Sequence, residues 1–397
     1  MREGWEYKKL GDCFPYIKNG ANIKQIKGAD GLPITRIETL SGGVFNRDRM
    51  GYAGIYNLDK YSDYVLEDGD LLLSHINSKT YIGRTVEYRA KNGETIIHGM
   101  NLLRLKSNSD VINSSFFAYY TLSNEFNTNV AKVRKDAVNQ SSIAISDIRK
   151  FSIPVPPIQS QQYVVDELDK INELIRLKKE QLKDYDNLAQ SIFYEMFGDP
   201  VVNEKGWEVK KLGEVALIKT GPFGSMLHKE DYITGGIPLI NPMHIQNFKA
   251  VPDKDFSISK EKAAELCNYQ LKINDVIFAR RGDIGRCAVI SDKEAGCLCG
   301  TGSLFVRFER KLSSIYTMYV VRTTSFIKEL VSKAKGATML NLNSSTMENL
   351  RFPIPPLPLQ QLFAQRIELI EQQKDEIKST IADLKTLLAS RMQYWFD

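Results

Sequence analysis

The sequence predicts an α+β protein built from two tandem copies of one unit, in which a mixed α/β domain is followed by a long helix. Three observations support this fold class. A set of motifs occurs twice, about 200 residues apart; short apolar runs indicate strands early in each copy; and an apolar heptad pattern ends each copy. We expect the two helices, equal in length, to form an antiparallel coiled coil with pseudo-two-fold symmetry.

The composition is that of a folded chain with a weak positive charge. Of 397 residues, 43% are apolar and 25% are charged, which excludes fibrous, collagen-like and wholly disordered proteins. Lys and Arg number 53 against 48 Asp and Glu, and the net charge of +5 permits a polyanionic partner. The first residues carry no secretory signal, no stretch reaches the roughly 18 apolar residues of a membrane span, and five cysteines make no disulfide framework. We therefore expect a cytoplasmic protein.

Two motifs mark the boundaries of the repeat. Residues 5–11, Trp-Glu-Tyr-Lys-Lys-Leu-Gly, recur as Trp-Glu-Val-Lys-Lys-Leu-Gly at 207–213. Pro-Val-Pro-Pro at 154–157 recurs as Pro-Ile-Pro-Pro at 353–356, and a Gln-Gln pair follows each copy. The prolines are expected to end the mixed domain and to start the helix. The predicted segments are mixed domains at 1–153 and 199–352, and helical segments at 154–198 and 353–397.

Within the mixed domains, apolar runs between Gly, Asp and Asn predict short strands in a mostly antiparallel or mixed sheet. The spacing lacks the strict alternation of a doubly wound fold. Strands are predicted at 71–73, 102–105, 276–278 and 304–306, and helices at 115–123 and 314–323.

Apolar residues in the two helical segments step alternately by four and by three positions, the 3.5-residue repeat of a coiled coil. Lys178, Lys374 and Arg391 interrupt this seam, and such polar breaks can fix register. The alternative is that each helix is amphipathic and packs only on its own domain. The residues predicted at the interface are Leu168, Ile171, Ile175, Leu182 and Ile192 in the first helix, and Ile367, Ile370, Ile381, Leu384 and Leu388 in the second.

The motifs of independent catalysis are missing from the sequence. It has no G-x-x-x-x-G-K-[ST] phosphate loop and no G-x-G-x-x-G between a strand and a helix. The segment 241–244, Asn-Pro-Met-His, lacks the second proline and the aromatic residue of adenine methyltransferases. Cys297 and Cys299 have no second pair, and the four histidines are scattered, whereas zinc sites need grouped ligands. We expect no catalytic, cofactor or metal site in this chain, and hence no enzyme.

Three loops differ most between the copies: 20–31 against 221–236, 70–82 against 275–284, and 132–140 against 333–338. They are rich in Lys and Arg, which bind phosphates and guanine, and in Asn and Gln, which pair with adenine. We expect the two copies to contact two different short DNA sequences. The candidate DNA-binding residues of the first copy are Lys18, Asn22, Lys24, Ser74, His75, Asn77, Lys79, Arg84, Lys132, Arg134, Lys135, Asn139 and Gln140. Those of the second copy are Lys219, Ser225, Arg280, Arg281, Arg286, Lys333, Lys335 and Thr338.

The helix length suits this function. About 35 residues at about 1.5 Å each give roughly 50 Å. A helix pair of that length can hold two DNA-reading domains about one to two turns of duplex apart.

Over essentially its whole length the chain resembles the specificity (S) subunit of type I restriction-modification systems. The resemblance is carried by the two Trp motifs, by Phe-Ala-Arg-Arg-Gly-Asp-Ile-Gly-Arg at 278–286, by Lys-Gly-Ala-Thr at 335–338, and by the two Pro-Gln-Gln segments. The first copy departs from the pattern, because Asp-Ala-Val-Asn at 136–139 replaces Lys-Gly-Ala-Thr and it has no Arg-Arg-Gly. Its domain is therefore expected to contact DNA through other residues.

The resemblance implies a division of labour. Each mixed domain would be a target recognition domain and each helix a spacer. The chain would recognise a bipartite site on double-stranded DNA and deliver two methylation (M) subunits to it, and two restriction–translocation (R) subunits could join. S-adenosylmethionine, Mg and ATP would bind to those partners and not to this chain.

Two other functions stay open at this point: a scaffold that binds only protein, and the detached recognition half of a DNA methyltransferase or nuclease. The surface that would contact the M subunits is also open. Candidates are apolar residues outside the seam, with burial on the chain's own domains as the alternative. They are Leu174, Leu177, Phe193, Leu359 and Leu387.

Overall fold

The chain folds into two compact units, each combining one mixed domain with parts of both long helices. The computed structural model describes residues 4–138, 140–223, 226–308, 312–334 and 341–397. Unit 1 comprises Met1–Lys179 and Ser379–Asp397, and unit 2 comprises Glu180–Lys378. The boundaries between these units lie inside the long helices, whereas the boundaries predicted from the sequence lie at the helix ends. The two divisions are different in kind, so the predicted boundaries stay a prediction.

Unit 1 is built around an antiparallel four-stranded sheet in the order β2-β6-β3-β5, with helices on one face. Its strands are β1 (Glu6–Lys9), β2 (Tyr16–Asn19), β3 (Leu71–Ser74), β4 (Ile76–Asn77), β5 (Thr85–Glu87), β6 (Leu102–Lys106), β7 (Lys135–Asp136), β8 (Ser141–Ser142) and β9 (Ser152–Val155). Its helices are α1 (Leu10–Cys13), α2 (Ser114–Tyr120), α3 (Asn124–Val133), α4 (Ile145–Ile148) and the first part of α5 (Ile158–Phe197).

Unit 2 repeats this sheet as β11-β20-β17-β18. Its strands are β10 (Glu208–Lys211), β11 (Ala216–Thr220), β12 (Tyr232–Ile233), β13 (Ile237–Ile240), β14 (Ile245–Gln246), β15 (Lys249–Ala250), β16 (Ser257–Ile258), β17 (Val276–Ala279), β18 (Cys287–Val289), β19 (Leu298–Cys299), β20 (Ser303–Phe308) and β21 (Arg351–Ile354). Its helices are α6 (Lys260–Glu265), α7 (Ser314–Arg322), α8 (Thr324–Lys333), α9 (Ser344–Glu348) and the first part of α10 (Leu357–Phe396).

The apolar runs become central strands buried on both faces. In β3, Leu71 and Leu73 face the core beneath α2 and α3, and Leu72 faces a second core on the other side. In β17, Val276 and Phe278 likewise face one core, and Ile277 faces another. This follows from the two-residue period of a strand, which sends alternate side chains to opposite faces. The predicted strands at 71–73, 102–105, 276–278 and 304–306 all lie in these sheets.

The helix predicted at 115–123 is wrong at its end, because α2 stops at Tyr120 and α3 begins at Asn124. The Ser123 hydroxyl accepts a hydrogen bond from the Phe126 amide and so caps α3. Thr323 caps α8 in the same way in unit 2. Ser and Thr favour this position because they satisfy an amide that the helix leaves free.

The two repeated motifs are neighbours in space. The Trp motif forms β1, which pairs antiparallel with β9 of the proline motif, and β10 pairs with β21 in the same register. The first glutamine of each Gln-Gln pair is fully buried. Gln161 accepts from the Asn113 amide (2.7 Å) and donates to the carbonyl oxygens of Val111 (2.9 Å) and Pro156 (2.7 Å). Gln360 makes the corresponding bonds in unit 2. Each glutamine therefore ties the long helix to the loop before α2 or α7.

The long helices run antiparallel and pack on each other in both units. In unit 1, Glu167 of α5 accepts hydrogen bonds from Arg391 (2.5 Å) and Trp395 (2.7 Å) of α10, and the Trp395 ring packs on Tyr163. In unit 2, Lys374 of α10 donates to Asp186 of α5 (2.8 Å). Phe363 of α10 contacts Phe193 and Phe197, which lie near the C-terminal end of α5.

Every predicted interface residue is shielded from solvent to some degree, and two of the polar seam residues, Lys374 and Arg391, form ion pairs. The alternative of helices that pack only on their domains is wrong, although each helix also contacts its domain core. Leu168, Ile171, Ile175, Ile367, Ile370 and Ile381 are buried, and Leu182, Ile192, Leu384 and Leu388 are half-buried. Within the described part of the chain, no helix is long and apolar enough to cross a membrane.

Candidate nucleic-acid interface

The three variable loops of unit 1 meet at one end of its four-stranded sheet. The first loop begins at Ala21, whose amide donates to the His98 carbonyl (2.8 Å) and whose carbonyl accepts from the Met100 amide (3.0 Å). The second and third loops share a small sheet, because β8 pairs with β4 on one side and with β7 on the other. The His75 side chain, in the second loop, hydrogen-bonds the backbone of Asn101, whose amide donates to Asn19 Oδ1 (3.1 Å) just before the first loop.

The loops of unit 2 gather in a similar way around the turn that precedes β20. The Gly221 amide donates to the Ser303 carbonyl (2.9 Å), and the Arg280 amide donates to the Gly302 carbonyl (3.0 Å). Leu342, which lies a few residues beyond the third loop, contacts the second loop, since its amide donates to the Arg280 carbonyl (2.8 Å). The start of the first loop, Arg280 of the second loop and Leu342 therefore lie at the same end of the sheet.

One glycine in each unit makes this gathering possible. A Cβ atom on Gly20 would lie 2.1 Å from the Gly99 carbonyl oxygen, and one on Gly221 would lie 2.0 Å from that of Gly300. Both distances are far below van der Waals contact, and both obstacles are backbone. The first loop can start this close to the sheet only because these residues lack a side chain.

Most candidate DNA-binding residues lie on the surface of the loops. Lys18, Asn22, Lys24, Lys79, Lys132, Lys135, Gln140, Arg281 and Lys333 are exposed, and Asn77, Arg84, Arg134, Lys219, Arg280 and Arg286 are half-buried. Asn139, Ser225, Lys335 and Thr338 lie outside the described residues. Whether any of these side chains contacts DNA stays a prediction.

Several of these cations already have partners within their own loops. Arg134 donates to Asp136 (2.6 Å), and this bond, together with the Ser141 hydroxyl, lowers the pKa of Asp136 to about 2. Arg286 lies 3.4 Å from Asp283, and the Arg84 guanidinium stacks on Tyr81 at 4.5 Å. Exposed ion pairs contribute only about 0–1 kcal/mol, so a phosphate can displace the carboxylate. The pairs hold the cations at the loop surface.

Two candidates require correction, because Ser74 and His75 are buried. Ser74 ends β3 opposite Leu102, and the His75 carbonyl accepts from the Ile143 amide (2.9 Å). Burial lowers the pKa of His75 to about 4, so its imidazole is neutral near pH 7 and adds no positive charge. We therefore remove both side chains from the candidate surface.

The residue that positions Arg280 is not among the candidates predicted from the sequence. Asn341 lies three residues beyond the third loop, forms a β-bridge with Arg281, and accepts a hydrogen bond from the Arg280 Nε atom (3.2 Å) through its Oδ1 atom. This bond fixes the Arg280 side chain at the junction of two loops. The position just after a variable loop was the available signal, since an amide there can bind back to the loop.

Comparison with known proteins decides the family. Residues 2–184 and 204–385 each match the family described as type I restriction modification DNA specificity domain. The chain belongs to this family. It is a type I restriction-modification specificity subunit with two DNA specificity domains, and the sequence of each domain contains one copy of the three variable loops.

Relatives of similar length support the assignment. The chain is 28% identical to a putative type I restriction enzyme MjaX specificity subunit of Methanocaldococcus jannaschii, over 97% of this chain and 93% of the relative. It is 21% identical to the type I restriction enzyme StySPI specificity subunit of Salmonella potsdam, over 99% and 88%.

Two solved structures share the fold. A chain from a study of complex assembly and conformational transition of the type I R-M system has a TM-score of 0.62 at 18% identity, covering 100% of this chain and 98% of that one. The S subunit from M. genitalium has a TM-score of 0.55 at 14% identity, covering 99% and 96%.

Proposed function

We propose that this specificity subunit recognises a bipartite site on double-stranded DNA, one half-site per unit, without catalysing a reaction itself. The observation that carries the proposal is the meeting of the three variable loops at one end of the sheet in unit 1, and of the first two loops in unit 2 with the segment at Asn341 and Leu342. The loops that differ most between the two copies are the ones that meet there, while the motifs that the copies share form the scaffold. Two unlike cationic surfaces on like scaffolds suit the reading of two different sequences.

The proposal of partners is supported by the family and by a similar solved structure, which comes from a study of complex assembly of the type I R-M system. We propose that two methylation (M) subunits bind this chain at its DNA target and that restriction–translocation (R) subunits join them. S-adenosylmethionine, Mg and ATP would bind to those subunits. Leu174, Leu177 and Leu387 are exposed on the helices and fit an M-subunit contact, whereas Phe193 is buried and Leu359 is half-buried against the core of unit 2.

The dependence of DNA affinity on salt tests the proposal. If Z phosphates are neutralised, the logarithm of the binding constant falls with the logarithm of salt concentration with a slope of about −0.9Z. We expect a steep fall for the purified chain, or for the chain with its M subunits. A flat response would favour a protein-binding scaffold. Methyl transfer from S-adenosylmethionine to DNA by the chain alone would contradict the non-catalytic function.

Replacing Arg281 by Ala should weaken recognition of a single half-site. Arg281 is exposed beside Asn341, and loss of a base contact costs about 1–3 kcal/mol. Binding should be measured on DNA in which either half-site has been scrambled. Arg351→Ala is a suitable control, because Arg351 is an exposed arginine on β21, outside the loops. An equal loss at both half-sites would contradict the assignment of one half-site to each unit.

A further inference from the structure

Unit 2 contains a strained hairpin, and the corresponding turn of unit 1 has different side chains. Strands β14 and β15 pair antiparallel and are joined by Asn247 and Phe248, whose φ angles are 49° and 60°. Among described residues other than glycine with positive φ, Phe248 is the one that is not asparagine. A bulky side chain strains the backbone in this region, so contacts elsewhere must hold it there. We call Asn247, Phe248 and Lys249 the hairpin tip.

The Phe248 ring is held by a stack that leads to the long helix. The Arg322 guanidinium at the end of α7 lies 4.2 Å from the centre of the Phe248 ring and 4.5 Å from that of Tyr319. Tyr319 in turn packs edge-on against Phe363 of α10, with ring centres 5.0 Å apart. Stacking of arginine between two aromatic rings is favourable, and it connects the tip to the place where α7 meets the helix.

Lys249 adds a second connection, further along the same helix. Its Nζ atom lies 3.8 Å from Glu371 Oε2 and 3.8 Å from Asp375 Oδ1, both on α10. Glu371 is eight residues beyond Phe363, which corresponds to about 12 Å along the helix axis. The hairpin tip is therefore linked to α10 at two separated places, through the stack at Phe363 and directly at Glu371 and Asp375.

A groove of about 840 Å³ lies between the hairpin, α7 and the helix segments of unit 2. Because of this groove, the tip does not rest on a continuous packed surface. Phe363, Ile367 and Ile370 of α10 already belong to the core of unit 2, and the Lys249 ion pair adds a contact across the groove that opposes a change in the angle between the domain and the helix. The tip thus acts on the angle between the domain and the helix.

Unit 1 has the same turn without these side chains. Gly42 and Gly43 occupy the two turn positions, with φ of 75° and 76°, and the following residue is Val44 in place of Lys249. Leu122 occupies the position of Arg322, one residue before the cap of the next helix, and both Val44 and Leu122 are exposed. The stack and the ion pair are therefore features of the second copy.

We propose that the hairpin tip is a brace that fixes the angle of the second recognition domain on its helix segments. This inference rests on the proposed function, because the consequence concerns DNA: a braced domain accepts its half-site only at a fixed position. Phe248 and Lys249 are positioning residues, and neither needs to touch DNA.

The test transplants the unbraced turn into unit 2. The double variant Phe248→Gly with Lys249→Val reproduces the Gly-Val sequence of unit 1, and glycine removes the backbone strain, so folding should be preserved. In the full-length chain, amides of residues 245–250 should exchange with solvent about tenfold faster, while those of β17 and β20 are unchanged. Lys249→Arg should keep the slow exchange, and Val44→Ala in unit 1 should have no effect on these amides.

With M subunits present, methylation should be compared on the cognate target and on targets whose spacer is one base pair longer or shorter. The transplant should reduce discrimination against the altered spacers by about threefold and leave kcat on the cognate target unchanged. Unchanged exchange, or unchanged discrimination by an active complex, would overturn the brace. If the wild-type chain binds no DNA, the proposed function fails, and the exchange experiment still decides whether the tip is held.

Discussion

Replacing Asp70 by Ala is expected to lower the free energy of unfolding of unit 1 by about 3–5 kcal/mol, the usual cost of removing one partner of a buried ion pair. Asp70 Oδ2 lies 2.6 Å from Arg104 Nη2, and both residues are almost completely buried. The Arg104 Nε atom has no hydrogen-bond partner among the described residues. Burial has therefore removed water from this guanidinium without replacing all of its hydrogen bonds. Without Asp70, a buried charge would remain, with the exposed Glu67 carboxylate (3.3 Å) and the Asp63 carbonyl oxygen (3.4 Å) as its polar neighbours among the described residues.

Unit 2 supplies the matched control. Asp275 is also buried and pairs with Arg307 through two hydrogen bonds of 2.8 and 2.7 Å. The Arg307 side chain, however, is 28% exposed, against 2% for Arg104. Water can therefore solvate Arg307 after Asp275→Ala, and we expect a smaller loss of about 1–3 kcal/mol.

Both losses can be measured by native-state amide exchange in β3 and β6 of unit 1 and in β17 and β20 of unit 2, which separates the two units. Replacing both Asp70 by Ala and Arg104 by Leu should recover much of the stability, because no charge is then buried. Equal losses in the two single variants, or no recovery in the double variant, would show that the buried charge is not the cause.

Most of the fold could be predicted from local sequence patterns. The apolar runs that became β3, β6, β17 and β20 are short, continuous and bounded by turn residues, and their burial on both faces follows from that pattern. The heptads likewise fixed the seam between α5 and α10. The split between α2 and α3 is not predicted from the sequence, because Ser123 also fits the end of one helix, whereas its hydroxyl caps the next.

The candidate site was less predictable, because it depends on contacts between residues distant in sequence. Ser74 and His75 have the composition of an exposed loop, and only the pairing of β3 with β6 buries Ser74. Asn341 gained its position next to Arg280 from a β-bridge across 60 residues of sequence. The brace could not be predicted for a similar reason. No local sequence pattern predicts a phenylalanine at positive φ, and Phe248 is held there by its contact with Arg322, which is distant in sequence.

Unit 1 is also expected to lose stability as the pH falls below about 6.5, because it buries two neutral histidines. Burial lowers the pKa of His75 and that of His98 to about 4, from 6.5 in an unfolded chain. Below pH 6.5 the unfolded chain therefore binds protons that the folded unit does not bind until about pH 4. The stability from each neutral imidazole is fully present above pH 6.5 and is lost through this window, by about 2 kcal/mol per histidine between pH 7 and pH 5.

The surroundings of the pair explain why protonation is resisted. His98 Nε2 lies 2.9 Å from the Leu102 carbonyl oxygen, which fits a neutral ring that donates one hydrogen bond. The charge of Arg104 and that of a protonated His75 both lower the pKa of His98 further. The burial of Asp70 and Glu87 raises their pKa values. As the pH falls, these carboxyls therefore add stability to the folded unit, whereas the histidines remove it.

A comparison of variants separates the histidines from these acids, because the contribution of the carboxyls is common to both proteins. His98→Gln keeps a hydrogen-bond donor near the Leu102 carbonyl and cannot titrate in this range. Urea unfolding of unit 1 at several pH values between 7 and 5 should show a decline about half as steep in this variant as in the wild type. His228→Gln, at an exposed position in unit 2, should leave the decline unchanged. A wild-type profile that stays level from pH 7 to pH 5 would mean that His75 and His98 accept protons in the folded unit as readily as in water.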